Sequence, residues 1–392
     1  MSEPSPLALA AIQCLDVAAI GGDELLVLQE ELGLSALEVA ELLFNAFIAS
    51  GRAPLPGSIA KRLVDSDSGA SFPYARYEPY EPDGLAPRLG DIGTVKIGAY
   101  EFARMGLGCM RLLSSHGLVD GVPQTAIGIP YSPEAARHAL LTAIDVGGVG
   151  YVDVARGYGP WPGWGERLLV EWTRGASAKV LVASKVGYRR EVSGSWLVDL
   201  DPAFIAAEIA ASVRQFGGRV PLLYLVVKST ATTPVVNRPA RLADAWAPLV
   251  EAQRQGLVEH IGVANVSVAE LDELNAAGAG EARVDVVQNP FTITSLHDPA
   301  QRAVLDRCGA LGIPFVAWGL FAEGARTEPT KAFVDVAAAL GATPEQLIIR
   351  ALLGAAPHLV ALPGPARRAT IYSCIQGANL DVDDDTLRKL LG

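Results

Sequence analysis

Three ionisable side chains near the middle of the sequence have the types needed to move a proton onto an oxygen atom. Asp153 and Tyr158 are five residues apart, and Lys185 ends the next apolar segment of the chain. A tyrosine is a poor acid at neutral pH because the pKa of a free phenol is about 10. A neighbouring lysine lowers that pKa by favouring the phenolate, and an aspartate keeps the lysine charged. The trio fits either a general acid for a carbonyl oxygen or a structural ion pair beside a loop tyrosine.

These residues belong to a region, from about Gly93 onward, in which short apolar segments alternate with helical ones. The strand candidates are Met105–Cys109, Gly150–Asp153, Val180–Lys185, Leu222–Val227, Ile261–Val263, Val284–Gln288, Pro314–Ala317 and Leu359–Leu362. The helical segments between them are 133–146, 165–174, 202–216, 240–256, 267–276, 298–311 and 328–340. A short hairpin of Thr94–Ile97 and Tyr100–Ala103 precedes them. The alternation predicts an α/β fold closed into a (β/α)8 TIM barrel, with a doubly wound open sheet as the alternative.

The barrel prediction places the three ionisable residues together. Active residues of such barrels lie at the carboxyl ends of the strands and in the loops that follow them. Asp153 ends the second strand candidate, Tyr158 follows it, and Lys185 ends the third. We therefore expect the three side chains to converge on one mouth of the barrel.

The chain before the barrel has a different composition. Residues 1–52 contain eight acidic side chains and a single basic one, Arg52, and their apolar pattern predicts a small all-α domain of three helices. Ser35 and Glu38 have the spacing of a capping box at the start of the third helix. Residues 53–92 are rich in proline and tyrosine, which predicts an extended linker lying on the neighbouring domain. The barrel domain is expected over residues 93–392.

Composition and charge limit the classes of function. The 392 residues include 32 Lys and Arg against 43 Asp and Glu, a net charge of −11 that argues against a nucleic-acid partner. The apolar stretch from Pro6 to Ile20 is interrupted by polar residues and has no basic flank, so it predicts neither a signal peptide nor a membrane span. Four widely spaced cysteines show no metal motif. We expect a cytoplasmic protein without a metal site.

A series of short motifs extends over about residues 93–392. The motifs are Gly106-Leu-Gly-Cys-Met-Arg-Leu112, Tyr151-Val-Asp-Val-Ala-Arg-Gly-Tyr-Gly159 with Gly165-Glu166, Ala183-Ser-Lys-Val-Gly187, Ile261-Gly-Val-Ala-Asn-Val-Ser267, Val287-Gln-Asn289, Phe315-Val-Ala-Trp318 and Leu362-Pro-Gly-Pro-Ala-Arg367. This series resembles the aldo-keto reductase family. Each motif alone is weak, whereas their order along the chain is specific. The resemblance implies a (β/α)8 barrel that interconverts a small carbonyl and an alcohol with NADP(H). By position, Tyr158 is then the proton donor, Lys185 tunes its pKa, and Asp153 is the partner of the lysine.

The same resemblance implies a set of cofactor contacts. Asn265 and Gln288 correspond to residues that hold the nicotinamide carboxamide, and Trp318 to a residue beside the ring. Gly319 begins the stretch that encloses the pyrophosphate. Arg367 and Arg368 correspond to the 2′-phosphate site, for which a guanidinium is well suited.

The sequence also departs from the family. The histidine that usually ends the fourth strand falls on Val226, or on Val227 if the register differs by one, and neither donates a hydrogen bond. Val226 and Lys228 share strand parity. This suggests the hypothesis that Lys228 assists the substrate oxygen, the alternative being an exposed lysine at the start of a loop. Ala264 replaces the serine that normally precedes the carboxamide-binding asparagine.

Two more replacements lie elsewhere on the cofactor path. Gly319-Leu320-Phe321 replaces the Ser-Pro-Leu stretch that helps to enclose the pyrophosphate, and Cys374 replaces the asparagine that usually meets the adenine. Each of these changes removes a polar group worth about 1–3 kcal/mol to a buried ligand.

Three functions remain open from the sequence. The first is the NADP(H)-dependent oxidoreductase, in which Trp161, Trp164 and Trp196 indicate an aromatic wall for a flat or apolar ligand or else ordinary surface packing. The second is a non-redox acid–base enzyme, such as a dehydratase or epimerase, on the same barrel. The third is a catalytically weak scaffold or regulatory subunit that docks to a protein partner, or to its own copy in a homo-oligomer, through the N-terminal helices.

Overall fold

A computed structural model describes residues 86–113, 117–119, 122–124, 133–159, 162–190, 196–229, 233–277, 283–321 and 331–391. The acidic helical domain lies outside the described residues and stays a prediction. Part of the predicted linker is described, and it lies against the barrel. The side chain of Asn379 donates to the carbonyl of Arg88 over 2.7 Å and accepts from the amide of Gly90 over 2.8 Å.

Fifteen strands are present in the described part of the chain. They are β1 (Thr94–Ile97), β2 (Tyr100–Ala103), β3 (Leu107–Gly108), β4 (Gly117–Val119), β5 (Val122–Gln124), β6 (Tyr151–Asp153), β7 (Leu181–Val186), β8 (Tyr188–Arg190), β9 (Trp196–Asp199), β10 (Val220–Val226), β11 (Val235–Val236), β12 (Val258–Ala264), β13 (Val286–Pro290), β14 (Phe315–Trp318) and β15 (Leu359–Leu362). Eight of them form one parallel sheet in the order β3-β6-β7-β10-β12-β13-β14-β15. Every residue of β7 is buried, as expected for a strand covered on both faces.

The sheet closes on itself. A parallel bridge joins Met105, just before β3, to Ala361 in β15. The amide of Gly106 donates to the carbonyl of Ala361 over 3.0 Å, and that of Gly108 to Pro363 over 2.8 Å. The (β/α)8 barrel is thereby confirmed, and the doubly wound open sheet is excluded.

Helices pack around the barrel and begin where the sequence signals a start. They are α1 (Met110–Leu113), α2 (Pro133–Asp145), α3 (Trp164–Thr173), α4 (Pro202–Gln215), α5 (Leu242–Arg254), α6 (Val268–Ala277), α7 (Pro299–Leu311), α8 (Lys331–Ala339), α9 (Pro344–Ala355), α10 (Arg368–Ala378) and α11 (Asp384–Leu391). The side chain of Asp201 caps α4 and that of Asp298 caps α7, each followed by a proline at the first helical position. The predicted hairpin is β1–β2, and a ring of β2 covers the barrel floor because Phe102 stacks on Tyr151 at 5.3 Å.

A small second sheet lies outside the barrel. Strands β8 and β9 are antiparallel, and β11 joins β9 in parallel. The sequence analysis did not predict these strands, because they are short. Strands β8 and β9 lie between β7 and α4, and β11 lies between β10 and α5. The carboxylate of Asp199 holds this sheet: it accepts from Arg189 over 2.6 Å, from the side chain of Asn237 over 3.0 Å and from the amide of Asp201 over 3.1 Å.

Within the described residues, no single helix is long and apolar enough to cross a membrane. Helices α8 and α9 meet the length and composition only when taken together, and they are bent by 100° at their junction.

Candidate active site

The ammonium group of Lys185 is the centre of the site. It forms a buried ion pair with Asp153 and donates to the carbonyl oxygen of Val154 over 3.0 Å. Asp153 and Lys185 are 4% and 6% exposed, so the pair is largely removed from water. A buried charge is costly without partners. The Asp153 carboxylate and the Val154 carbonyl oxygen offset that cost for the Lys185 ammonium.

Tyr158 also lies near this ammonium. The Nζ atom of Lys185 is 5.8 Å from the centroid of the Tyr158 ring. The loop that carries Tyr158 is tied to the strand that carries Lys185, since the amide of Arg156 donates to the carbonyl of Lys185 over 3.2 Å. Gly165 then donates to the carbonyl of Tyr158 over 3.1 Å. The structure therefore brings together the three residues that the sequence singled out.

A buried carboxylate on α3 holds these segments in register. Glu166 is fully buried and accepts hydrogen bonds of 2.6 Å from Ser184 on β7 and from Ser212 on α4. Its other oxygen lies 3.3 Å from the guanidinium of Arg156, which also pairs with Glu208 at 2.8 Å. One side chain thus connects the neighbour of Lys185 with the loop of Tyr158.

A second polar network fills the barrel beneath the ion pair. The hydroxyls of Tyr151 and Tyr224 are 3.0 Å apart, and Tyr151 donates to Asp153 over 3.4 Å. The amide of Gln288 donates to the same carboxylate over 2.9 Å. Burial, together with the neighbouring tyrosine and Asp153, raises the pKa of Tyr151 well above 10, and burial with Asp153 does the same for Tyr224. Both phenols stay neutral and act as fixed hydrogen-bonding groups.

A cavity of about 1380 Å³ opens at the carboxyl ends of the barrel strands. Each of the eight strands contributes a lining residue at its carboxyl end or within two residues of it. These residues are Gly108, Asp153, Lys185, Val226, Ala264, Gln288, Trp318 and Leu362. The volume exceeds the roughly 300–1,000 Å³ of sites for drug-sized ligands. It leaves room for a cofactor and a small substrate together.

Asn265 and Trp318 are positioned by each other at the cavity wall. The indole nitrogen of Trp318 donates to the side-chain oxygen of Asn265 over 3.1 Å, and the Asn265 amide nitrogen donates to the carbonyl of Lys228. Asn265 has a φ of 63°, a left-handed conformation that asparagine tolerates better than most residues. The side chain therefore has a fixed orientation before any ligand arrives.

The remaining expected cofactor positions follow the cavity to the start of α10. Gly319 and Arg367 line it, as do Ala264 and Cys374 at the replaced positions. Burial raises the pKa of the Cys374 thiol to about 12, so this side chain offers a neutral contact. Arg368, in the first turn of α10, is exposed and is not among the lining residues.

The fourth strand does not bring a charge to the cavity. Val226 is fully buried and lines the cavity as an apolar patch. Lys228 lies outside the lining and pairs with Glu270 at 3.2 Å, with its side chain 46% exposed. Strand β10 ends at Val226, so the alternation of faces that suggested an inward Lys228 does not extend to it. The geometry favours the alternative, an exposed lysine at the start of a loop.

Several residues of the site carried no clear signal in the sequence. Tyr188 and Ser229 line the cavity and have hydroxyl oxygens 3.0 Å apart. Among the three tryptophans considered, Trp196 lines the cavity and Trp164 is buried in the core, while Trp161 lies outside the described residues. Contacts of this kind join segments far apart in sequence, and only the fold reveals them.

Comparison with known proteins agrees with this geometry. The model of the aldo/keto reductase family matches residues 104–390. Pyridoxine 4-dehydrogenase of Escherichia coli (strain K12) is 27% identical over 313 aligned positions, covering 76% of this chain and 97% of that protein. Two solved structures share the fold at low identity. They are glycerol dehydrogenase of Gluconobacter oxydans (TM-score 0.60, 17% identity, 77% of this chain and 94% of that one) and a Bombyx mori aldo-keto reductase in complex with NADP (0.55, 14%, 78% and 92%).

Proposed function

Because the chain belongs to the aldo/keto reductase family, we propose that it is an NADP(H)-dependent oxidoreductase that interconverts a small carbonyl compound and its alcohol. The observation that carries the proposal is the proximity of the Lys185 ammonium to both the Asp153 carboxylate and the Tyr158 ring on the cavity wall. Family membership supports an oxidoreductase, and this cluster supports the role of each residue.

The cluster accounts for the proton that carbonyl reduction requires. An ammonium beside a phenol stabilises the phenolate left behind when Tyr158 gives its proton to the substrate oxygen. Asp153 keeps Lys185 charged and is itself fixed by Gln288 and Tyr151. In alcohol oxidation the same phenolate accepts the proton. The residues of the trio are thus fixed before a substrate binds, which is favourable because no reorganisation is needed at the moment of reaction.

The residues along the cavity suit NADP(H). When bound, this cofactor supplies the hydride for reduction or accepts it in oxidation. Asn265 and Gln288 present amide groups of the kind that bind a carboxamide, and Trp318 offers an aromatic surface beside them. Arg367 and Thr370 line the cavity where α10 begins, and a helix amino terminus with a guanidinium favours a phosphate.

Substitution of the phenol is the direct test. Tyr158→Phe removes the proton donor and is expected to lower kcat for aldehyde reduction at least about 100-fold while NADPH affinity is retained. The panel of aldehydes should include pyridoxal, since a relative acts on pyridoxine. NADPH absorbance measures turnover, and NADPH fluorescence measures binding.

A matched control is available at the opposite end of the barrel. Tyr100 lies 4.1 Å under the ammonium of Lys179 on the amino-terminal side of the strands, so Tyr100→Phe removes a similar phenol outside the cavity. We expect its kcat to be unchanged. If the unaltered protein neither oxidises NADPH with any aldehyde nor changes NADPH fluorescence up to millimolar concentration, the redox proposal is wrong. Conversion of a substrate without any change in NADPH absorbance would favour the non-redox acid–base enzyme.

A further inference from the structure

The substrate end of the cavity has an unassigned polar pair beside an apolar patch. Val226 leaves the end of the fourth strand without a hydrogen-bond donor. Tyr188 and Ser229 line the same cavity, and their hydroxyl oxygens form a hydrogen bond of 3.0 Å. We call these two residues the hydroxyl pair. Both residues are partly buried and line the cavity, where a ligand can contact them.

The hydroxyl pair is close to Val226 along the chain and across the sheet. Tyr188 follows β7 and Ser229 follows β10, which are neighbouring strands with Leu225 opposite Val186. The two backbones approach closely at Gly187, where an added Cβ atom would lie 2.9 Å from the carbonyl oxygen of Val226. Gly187 has a φ of 100°, so only glycine fits there without strain. This approach brings Tyr188 within reach of the loop that carries Ser229.

An aromatic ring connects the hydroxyl pair with the proton donor. The rings of Trp196 and Tyr188 meet edge to face, with centroids 5.7 Å apart. Trp196 also covers the backbone next to Tyr158, because a Cβ atom added to Gly157 would lie 2.4 Å from its indole ring. The indole therefore spans the distance between the Tyr158 loop and Tyr188, and it lines the cavity between them.

The small outer sheet holds this arrangement. Tyr188 begins β8, and Trp196 begins the antiparallel strand β9. The buried carboxylate of Asp199 binds Arg189 of β8 and the side chain of Asn237 beyond β11. A site built on paired strands with an internal ion pair is more precise than one built on free loops.

We propose that Trp196 and the hydroxyl pair form a substrate subsite for hydroxylated aromatic aldehydes and their benzylic alcohols. Trp196 presents a flat apolar surface for the ring of the substrate. The Tyr188 phenol, the more acidic hydroxyl of the pair, donates to Ser229, and the Ser229 hydroxyl forms a hydrogen bond with a ring hydroxyl of the substrate. The reacting carbonyl is left to Tyr158. This inference rests on the proposed reductase function.

The test compares the same aldehydes with and without a ring hydroxyl. Reduction of benzaldehyde and of its ortho, meta and para hydroxy derivatives is measured by NADPH oxidation. We expect kcat/KM for the best hydroxylated isomer to exceed that for benzaldehyde about 5- to 10-fold, the effect of one hydrogen bond. Ser229→Ala should abolish that preference, lowering kcat/KM for the hydroxylated isomer toward the value for benzaldehyde. The ring hydroxyl also changes the intrinsic reactivity of the aldehyde. This electronic effect is the same in the unaltered protein and in Ser229→Ala, so it cancels when the preference is compared between the two proteins.

Further variants separate the loss of the hydrogen bond from damage to the fold. Ser229→Thr keeps the hydroxyl and should keep the preference, whereas Tyr188→Phe removes the donor to Ser229 and should weaken it. Trp196→Leu is expected to lower kcat/KM for benzaldehyde and its hydroxylated isomers alike. If benzaldehyde or its derivatives are reduced, a preference that is absent from the unaltered protein, or unchanged in Ser229→Ala and Tyr188→Phe, would overturn the subsite.

A binding measurement separates this inference from the proposed function. Calorimetry of benzyl alcohol and hydroxybenzyl alcohol with the full chain needs no redox step. The subsite predicts tighter binding of the best hydroxylated isomer, about 5- to 10-fold, and loss of that difference in Ser229→Ala. If no aldehyde is reduced but this difference is seen, the reductase function fails and the subsite stands. If binding shows no difference that depends on Ser229, the subsite is wrong whatever the turnover.

Discussion

At the scale of single residues, burial and neighbouring charges distinguish Lys185 from Lys228. Lys185 is buried with one carboxylate and one carbonyl, and its Nζ atom lies 5.8 Å from the centroid of the Tyr158 ring. Lys228 has the same side chain but is 46% exposed and pairs with Glu270, which also binds Arg238 at 2.8 Å. The same residue type therefore occupies two different environments, a buried ion pair at the cavity and an exposed ion pair outside it.

The first prediction at this scale concerns Glu270. It accepts from the amide and hydroxyl of Ser267 over 2.8 and 2.9 Å. Partial burial raises the pKa of Glu270, but the bonds from Ser267 and Arg238, with Lys228, outweigh it and lower the pKa to about 2. Glu270→Gln should lower the free energy of unfolding at pH 7 by about 1 kcal/mol. The native pKa is depressed, so this difference is present above pH 4.5 and fades as pH falls toward 2.

Urea unfolding at a series of pH values measures this effect. Lys228→Met is the companion variant, because it removes one neighbour of Glu270 and leaves the contacts with Ser267 intact. Since an exposed ion pair contributes little, we expect a change below about 0.5 kcal/mol and unchanged turnover. A large loss of kcat in Lys228→Met would restore the hypothesis that this lysine assists the substrate oxygen.

At the scale of elements, the loop that carries Tyr158 is positioned by contacts with helix α3. The amino-terminal turn of α3 carries Glu166, which reaches Arg156 in the loop, Ser184 on β7 and Ser212 on α4. The Gly165-Glu166 pair was evident as a motif. Its role as a shared acceptor was not, because the three donors are 10, 18 and 46 residues away.

The prediction for this element is a loss of both stability and activity in Glu166→Ala. Removing one partner of a buried charge network leaves Arg156 and two hydroxyls without their acceptor, at a cost of about 3–5 kcal/mol. Because the loop of Tyr158 loses its anchor, kcat should fall more than NADPH affinity. Unfolding in urea and steady-state kinetics measure the two effects.

Glu171→Ala provides the control on the same helix. Glu171 pairs with Arg174 at the surface, where such pairs are worth less than about 1 kcal/mol. Equal destabilisation by both substitutions would show that Glu166 has no special part in holding the loop.

At the scale of the whole molecule, the barrel depends on a seam between its first and last strands. Arg104 precedes β3 and donates to the carbonyls of Leu353 and Ala356 at the end of α9, over 2.8 and 2.9 Å. It also donates to the carbonyl of Ile92 over 2.8 Å, and its own carbonyl accepts from Ala361 over 2.9 Å. A cation at the carboxyl end of a helix is favourable as well. Arg104 thus joins the entry of the barrel to the end of α9 through its side chain and to the closing strand through its backbone.

The prediction at this scale is that Arg104→Met lowers the free energy of unfolding by about 2–3 kcal/mol, because partly buried carbonyls lose their donor. Urea unfolding followed by circular dichroism measures it. Lys96→Met, which removes an exposed ion pair with Glu101 on β1 and β2, should change stability by less than about 0.5 kcal/mol. Similar effects of the two substitutions would contradict the role assigned to the seam.

Much of the fold was predictable because local signals agree with it. The hairpin β1–β2 and strand β15 have the predicted bounds, and the Asp-Pro pairs at 201–202 and 298–299 mark helix starts. Most other barrel strands differ by one to three residues at an end. The short helix α1 and the helices α9 and α10 were missed, and the short strands β8, β9 and β11 are stabilised by pairing with each other rather than by a pattern in the sequence.

The sequence by itself determined the order of strands and helices, and with it the meeting of Asp153, Tyr158 and Lys185 at one mouth, since parallel strands share their carboxyl ends. The tertiary structure alone decided where Lys228 turns, that Gln288 binds Asp153, and that Tyr188 meets Ser229. The physical reason is that a strand's pattern fixes which face a side chain occupies only within that strand. Beyond its last residue, the direction of a side chain depends on partners brought near by the closure of the whole barrel.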